Sequence, residues 1–292
     1  MIDILNIVLP PFIIIFIGYL LGKITKMDMS SVVNIVFYIG LPALAFTSVI
    51  DKEIVLLDAA KVWTSAIIIF FGCGIVAWIV FKIIGQRHSG LYVPISVMNC
   101  VNIPFPVLFL VYGSEGLFAA ILFYIPIVLL TFSAGIYIMS GKHWKESLKD
   151  VMTVPTLYGA VAGLLINVNN VTVPELVVKP LSFIALMVIP LVLLVLGSKL
   201  SAVELRSLPT TFLASFLRIG VGLLLGFLTV SLFNLTGVLR AVVIFNSAMP
   251  AAANTSILAS KFDNEAELVS SVVFVTTIAS LVVAPFLLST LI

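Results

Sequence analysis

Apolar stretches long enough to cross a bilayer, about 20 residues each, follow one another along this chain with short connectors between them. Few folds tolerate that pattern. Lipid offers backbone N–H and C=O groups no water, so each crossing must satisfy them as a helix or within a closed barrel. Unbroken apolar runs, in place of strict alternation, select helices. Composition agrees: 62% of residues are hydrophobic and 10% are charged, against roughly 25% charged in soluble proteins. With a mean hydropathy of +1.28, the chain reads as an all-α polytopic membrane protein. The net charge of +2 identifies no partner, and nothing in the sequence points to nucleic acid.

Ten spans are expected, at about 4–22, 31–50, 60–84, 91–112 and 116–139, then 152–168, 179–199, 208–233, 238–260 and 266–291. The first begins with Asp3 where a signal peptide would have a basic start, runs too long and lacks a small-residue cleavage site, so it is expected to be a permanent span. The sixth is short, and Pro174 and Pro180 blur the start of the seventh. One connector of any size, GKHWKESLKD at 141–150, divides the chain into a first repeat (1–140) and a second (151–292). Lys and Arg set the orientation. Lys23, Lys26, Lys82, Arg87, Lys142, Lys145, Lys149, Lys199, Arg206 and Lys261 fall on one face, and Lys52, Lys61, Lys179 and Arg240 on the other. The connector is therefore expected in the cytoplasm, with both termini outside.

Two spans are interrupted by asparagine and proline at matching places in the two halves. MNCVNIPFPVLFL contains Asn99, Asn102, Pro104 and Pro106; FNSAMPAAANTSIL contains Asn246, Pro250 and Asn254. A glycine stands nine positions before the first asparagine in both, Gly90 before Asn99 and Gly237 before Asn246. Pro42 and Pro190 also match in the second and seventh spans, and EGLFAAILFY resembles EAELVSSVVF at the openings of the fifth and tenth. Five spans is an odd number, so the second copy enters the membrane from the opposite side and the repeat is inverted.

Paired broken spans of this kind mark the substrate site of secondary transporters. Proline removes a backbone donor and clashes with the preceding turn, while asparagine both donates and accepts. Each half-helix that starts after a break presents free N–H groups and about half a positive charge, and two together suit one carboxylate. Asn99, Asn102, Pro104, Asn246, Pro250 and Asn254 are the candidate site residues. Arg218, roughly 15 Å into the eighth span at 1.5 Å per residue, lies near the middle of a core about 30 Å thick. It either serves the substrate or binds carbonyls freed by a broken helix. Its neighbours Thr211, Ser215, Gly222, Gly226 and Thr229 form a small, polar stripe that should face protein. Asn34 and Tyr38, one turn apart, either line a cavity or bond between helices. Cys73 and Cys100 lie inside spans and imply no disulfide framework. No Cys/His cluster or spaced carboxylates suggest a metal or cofactor, and no nucleophile–base pair suggests an enzyme. The spans hold no central Asp or Glu, which argues against a buried carboxylate proton relay and leaves sodium coupling open.

VIFNSAMPAAANTSILASKFDNEAELVSS and LVVAPFLLSTL resemble the C-terminal signature of the auxin efflux carrier family, in its prokaryotic malate-permease-like branch, and MNCVNIPFPVLFLVYGSEGL resembles its fourth helix. The resemblance implies the ten-helix inverted repeat shared with bile-acid/sodium symporters, its fourth and ninth helices crossing at their breaks. It further implies a scaffold of helices 1, 2, 6 and 7, a moving core of helices 3–5 and 8–10, an elevator motion and a homodimer. Two prolines in the first break leave open which one sets it. The connector is minimal beside the long loop of many plant members. The expected function is transport of small organic anions such as malate across the plasma (inner) membrane. The alternatives are a sodium-coupled symporter of a larger amphipathic or aromatic acid, and a carboxylate receptor that moves nothing.

Overall fold

The computed structural model describes residues 2–25, 27–50, 52, 55–141 and 152–291. Residues 142–151, and with them most of the expected connector and its lysines, lie outside the described residues, as does Lys26. Regular structure among the described residues is helical. In chain order the helices are α1 (Ile2–Thr25), α2 (Ser30–Val49), α3 (Leu56–Ile83), α4 (Tyr92–Ser96), α5 (Pro104–Ser140), α6 (Pro155–Val168), α7 (Glu175–Leu200), α8 (Leu208–Phe233), α9 (Gly237–Ser247), α10 (Asn254–Lys261) and α11 (Ala266–Leu291). Six of them, α2, α3, α5, α7, α8 and α11, are long and apolar enough to cross a membrane.

Local chemistry sets several boundaries. Pro155 opens α6 and Pro174 caps α7, both positions where the missing N–H costs nothing. Pro180 is absorbed inside α7, which starts four residues before the expected 179. α5 is continuous except at Gly113, whose φ of 60° and ψ of −146° separate two helical arms. A π-turn at Val36–Gly40 in α2 immediately precedes Pro42, which cannot donate to the turn before it.

Small residues bring two helix pairs into backbone contact. In α1 against α7, a Cβ on Gly18 would land on the Leu194 carbonyl oxygen, and one on Gly197 on that of Ile15. In α2 against α6, a Cβ on Gly159 would land on the Pro42 carbonyl, and one on Gly163 would sit 3.0 Å from that of Phe46. Lipid gives helices no hydrophobic reason to associate, so close approach at glycine supplies the dispersion contacts. Helices α1, α2, α3 and α9 pack against α5, the most buried of the long helices at 61% of its most apolar window. One further tie joins the outer ends of both interrupted segments. The Glu265 carboxylate accepts from the Gly90 N–H at 2.9 Å and pairs with His88 Nδ1 at 2.6 Å, and Asn264 Nδ2 donates to the Met139 carbonyl at 2.9 Å.

Candidate functional site

Both interruptions are real breaks, and they meet. After Ser96 the chain turns extended at Val97 (φ −94°, ψ 107°) and resumes as helix at Pro104. After Ser247 it leaves the helix until Asn254. Between them the segments form one antiparallel bridge, Met98 opposite Ala251. The Asn99 N–H donates to the Pro250 carbonyl at 2.8 Å and the Ala252 N–H to the Val97 carbonyl at 3.0 Å. Each break thus satisfies groups that the other has freed, as a dry interior requires. Thr276 Oγ1 takes the Ala251 N–H at 3.1 Å, and Asn99 Oδ1 takes those of Val101 and Asn102 at 3.3 and 2.9 Å.

The two prolines differ in role. Pro104 is the first residue of α5 and sets that boundary, with Pro106 in the same turn. Pro250 does not open a helix. It lies in the bridged segment, offers its carbonyl to Asn99, and α10 starts only at Asn254. The reason is the pairing itself, which needs extended backbone on both sides of residue 251.

Arg218 is completely buried inside a π-turn, Leu217–Val221, of α8. Its Nη1 donates to the carbonyls of Ile95 (2.7 Å) and Ser96 (3.3 Å), and its Nη2 to that of Ser247 (2.5 Å). Those carbonyls end the two half-helices α4 and α9, so one guanidinium fork caps both. A cation there also answers the negative C-terminal ends of two helices. The small stripe is what admits it: a Cβ on Gly222 would strike Arg218 Nη2 and the Ser247 carbonyl, and one on Gly226 the Ser247 hydroxyl. Thr211, Ser215 and Thr229 are buried in protein.

Beside the crossing lies a cavity of about 270 Å³. Its polar lining comes from Asn99, Asn102, Asn254, Tyr124, Thr131 and Lys199, and its walls from apolar residues of α2, α5, α7 and α10. Asn99 Nδ2 and Asn254 Oδ1 are buried without a hydrogen-bond partner. The structure therefore brings together three of the candidates, Asn99, Asn102 and Asn254, with Pro104 and Pro250 shaping the backbone behind them. Asn246 is fully buried away from the cavity, its Nδ2 donating to the Val242 carbonyl at 2.9 Å and its Oδ1 unpartnered. Arg218 does not line the cavity, and neither do Asn34 and Tyr38, which are exposed; α2 contributes Val33 and Phe37 in their place.

Lys199 was readable from the sequence only as a topology marker. The missed signal is its stripe: Val192, Val195, Leu196 and Lys199 fall at i, i+3, i+4 and i+7 of α7, one helix face, and all line the cavity.

Broken helices that meet beside a cavity recur in membrane transporters. The profile of a family described as membrane transport protein matches residues 142–288, and the chain belongs to this auxin efflux carrier-like family. It is 27% identical over 298 aligned residues to an uncharacterized transporter of Methanocaldococcus jannaschii, covering 96% of each chain. It is 26% identical over 288 residues to an uncharacterized transporter of Methanothermobacter thermautotrophicus, covering 95% of each. The protein is thus a multi-pass member of a transporter family.

Proposed function

We propose that the protein is a secondary transporter that moves a small organic anion, malate or another carboxylate, across the plasma membrane by alternating access. The observation that carries this reading is a pair of buried carboxamide atoms without a partner in one cavity at the crossing, the Asn99 Nδ2 donor and the Asn254 Oδ1 acceptor. The half-helices that start at Pro104 and Asn254 add positive N-terminal ends there, and among the described residues no acidic one lines the cavity.

On this reading the chain crosses the membrane ten times, as two inverted five-helix repeats with both termini outside. The helix pairing supports it. Exchanging the halves turns the first-with-seventh pair, α1 and α7, into the sixth-with-second pair, α6 and α2, and these are the two pairs sealed by glycine. Those four helices form the scaffold. The crossing and its neighbours form the core that moves, in a homodimer.

The walls favour a second reading of the substrate. They are predominantly apolar, which suits an acid with an apolar or aromatic body better than malate, polar at both ends and at its hydroxyl. Sodium coupling is compatible with either.

Counterflow in proteoliposomes tests both readings. Labelled malate and labelled phenylacetate are compared in wild type, Asn99→Ala and Asn254→Ala, with sodium and with choline. Exchange of either acid in wild type, lost in both variants with intact gel filtration, is the expected result. Binding without exchange of any acid points to a receptor, and exchange that survives both substitutions moves the site away from the crossing.

A further inference from the structure

The cavity has two faces of different origin. One is the crossing, with Asn99, Asn102 and Asn254, fixed by the bridge and by Arg218. The other includes α7, which is fixed separately: a Cβ on Gly197 would strike the Ile15 carbonyl of α1, and one on Gly22 would crowd Ser198 and Ser201. Lys199 sits between these contact points and is the one Lys or Arg among the described residues of the lining. Among the described residues its ammonium makes no ion pair and no hydrogen bond. Lys199 is partly buried and its ammonium is not among the buried polar atoms left without a partner, so it keeps contact with solvent while its stem covers the apolar wall, and it is free to meet an anion that enters the cavity. Among the described residues no Asp or Glu lines this cavity, so an anionic ligand would bring the counter-charge that the wall lacks.

We infer that Lys199 is the residue that makes the cavity select a monoanionic acid, holding its carboxylate from the α7 wall while the crossing's carboxamides hold it from the other side. This rests on the second substrate reading above, an acid with one carboxylate and an apolar body, and adds to it the source of charge selectivity. One full positive charge on the lining matches one carboxylate, with the apolar walls left for the rest of the molecule. Because the two faces are braced independently, the ligand itself is the link between them. A shift of one face against the other separates the lysine from the amides and divides the site.

The test uses the full-length protein in detergent, with labelled phenylacetate and the neutral, near-isosteric phenylacetamide as probes. Wild type is expected to bind the acid at least about tenfold tighter than the amide, the scale of one charge-assisted hydrogen bond. Lys199→Met is expected to bring that ratio close to one and leave amide affinity within about twofold, since only the charged contact is lost. Lys199→Arg restores the preference, and Asn254→Ala weakens both probes. An unchanged acid-to-amide ratio in Lys199→Met overturns the assignment to Lys199 while the carboxylate cavity stands. No acid preference in wild type overturns both. A variant that is merely misfolded loses amide binding as well, which separates damage from lost selectivity.

Discussion

Replacing Arg218 with methionine isolates what the buried guanidinium does. Methionine keeps an unbranched stem and removes all donors. Two short bonds disappear, to the Ile95 carbonyl at 2.7 Å and to the Ser247 carbonyl at 2.5 Å; the longer one to Ser96, at 3.3 Å, is left out of the sum. Charge-assisted bonds contribute about 1.5–3 kcal/mol each, net of desolvation, so the loss is about 3–6 kcal/mol. The cost of inserting an arginine is already inside those net values and is not subtracted again. At about 2–4 °C per kcal/mol for a chain somewhat shorter than this one, the melting temperature should fall by at least about 6 °C. Fluorescence-detected gel filtration after heating measures this without any substrate. Arg218→Lys should fall between the two, because a compact ammonium keeps the charge but cannot fork across two half-helices. If Arg218→Met melts within about 1 °C of wild type, far less than this scale allows, the arginine does not hold the breaks together and the argument fails.

Other expectations follow from the same contacts. Gly222→Val should reproduce the Arg218→Met loss of thermal stability, since its side chain would occupy the space of Arg218 Nη2 and the Ser247 carbonyl; the same heating assay reads it. Asn254→Ala should change stability by no more than about 0.5 kcal/mol, because its Oδ1 has no protein partner, yet abolish exchange in proteoliposomes. In a background with Cys73 and Cys100 replaced by serine, Met98→Cys with Ala251→Cys should form a disulfide on oxidation, seen as a mobility shift after cleavage between the halves. Flanking hydrogen bonds make this a close pair, with Cα atoms about 4.5 Å apart, inside the range a disulfide spans.

The breaks were legible because proline and asparagine in apolar runs are local signals, and the structure opens α5 at Pro104, one of the two prolines the sequence offered. Their pairing was not, since Met98 and Ala251 meet through backbone atoms that carry no mark of side-chain identity. Asn34 and Tyr38 share a face with each other, but the π-turn at Val36–Gly40 breaks the regular helical count just where Tyr38 sits. The cavity takes the preceding pair, Val33 and Phe37. Asn246 and Asn254 look equivalent in sequence, yet Asn246 closes the last turn of α9, and Asn254 opens α10 at the cavity. In sequence Lys199 reads as a charge at a helix end, and its place on the cavity wall depends on tertiary packing. Only the packing of α7 shows which side of that helix faces the cavity.

The arginine clamp also bears on how the protein is made. The carbonyls of Ile95 and Ser96 find their donor 123 and 122 positions further along the chain, and the Val97 carbonyl waits longer still, for Ala252. At a synthesis rate of about 5–20 residues per second, roughly 6–25 s separate Ile95 from its Arg218 donor. During that interval the first broken helix stands in the membrane with open backbone groups and must borrow partners from water, headgroups or the insertion machinery. Expressed alone, residues 1–140 would keep that need permanently. For all their likeness, the two halves are not two proteins.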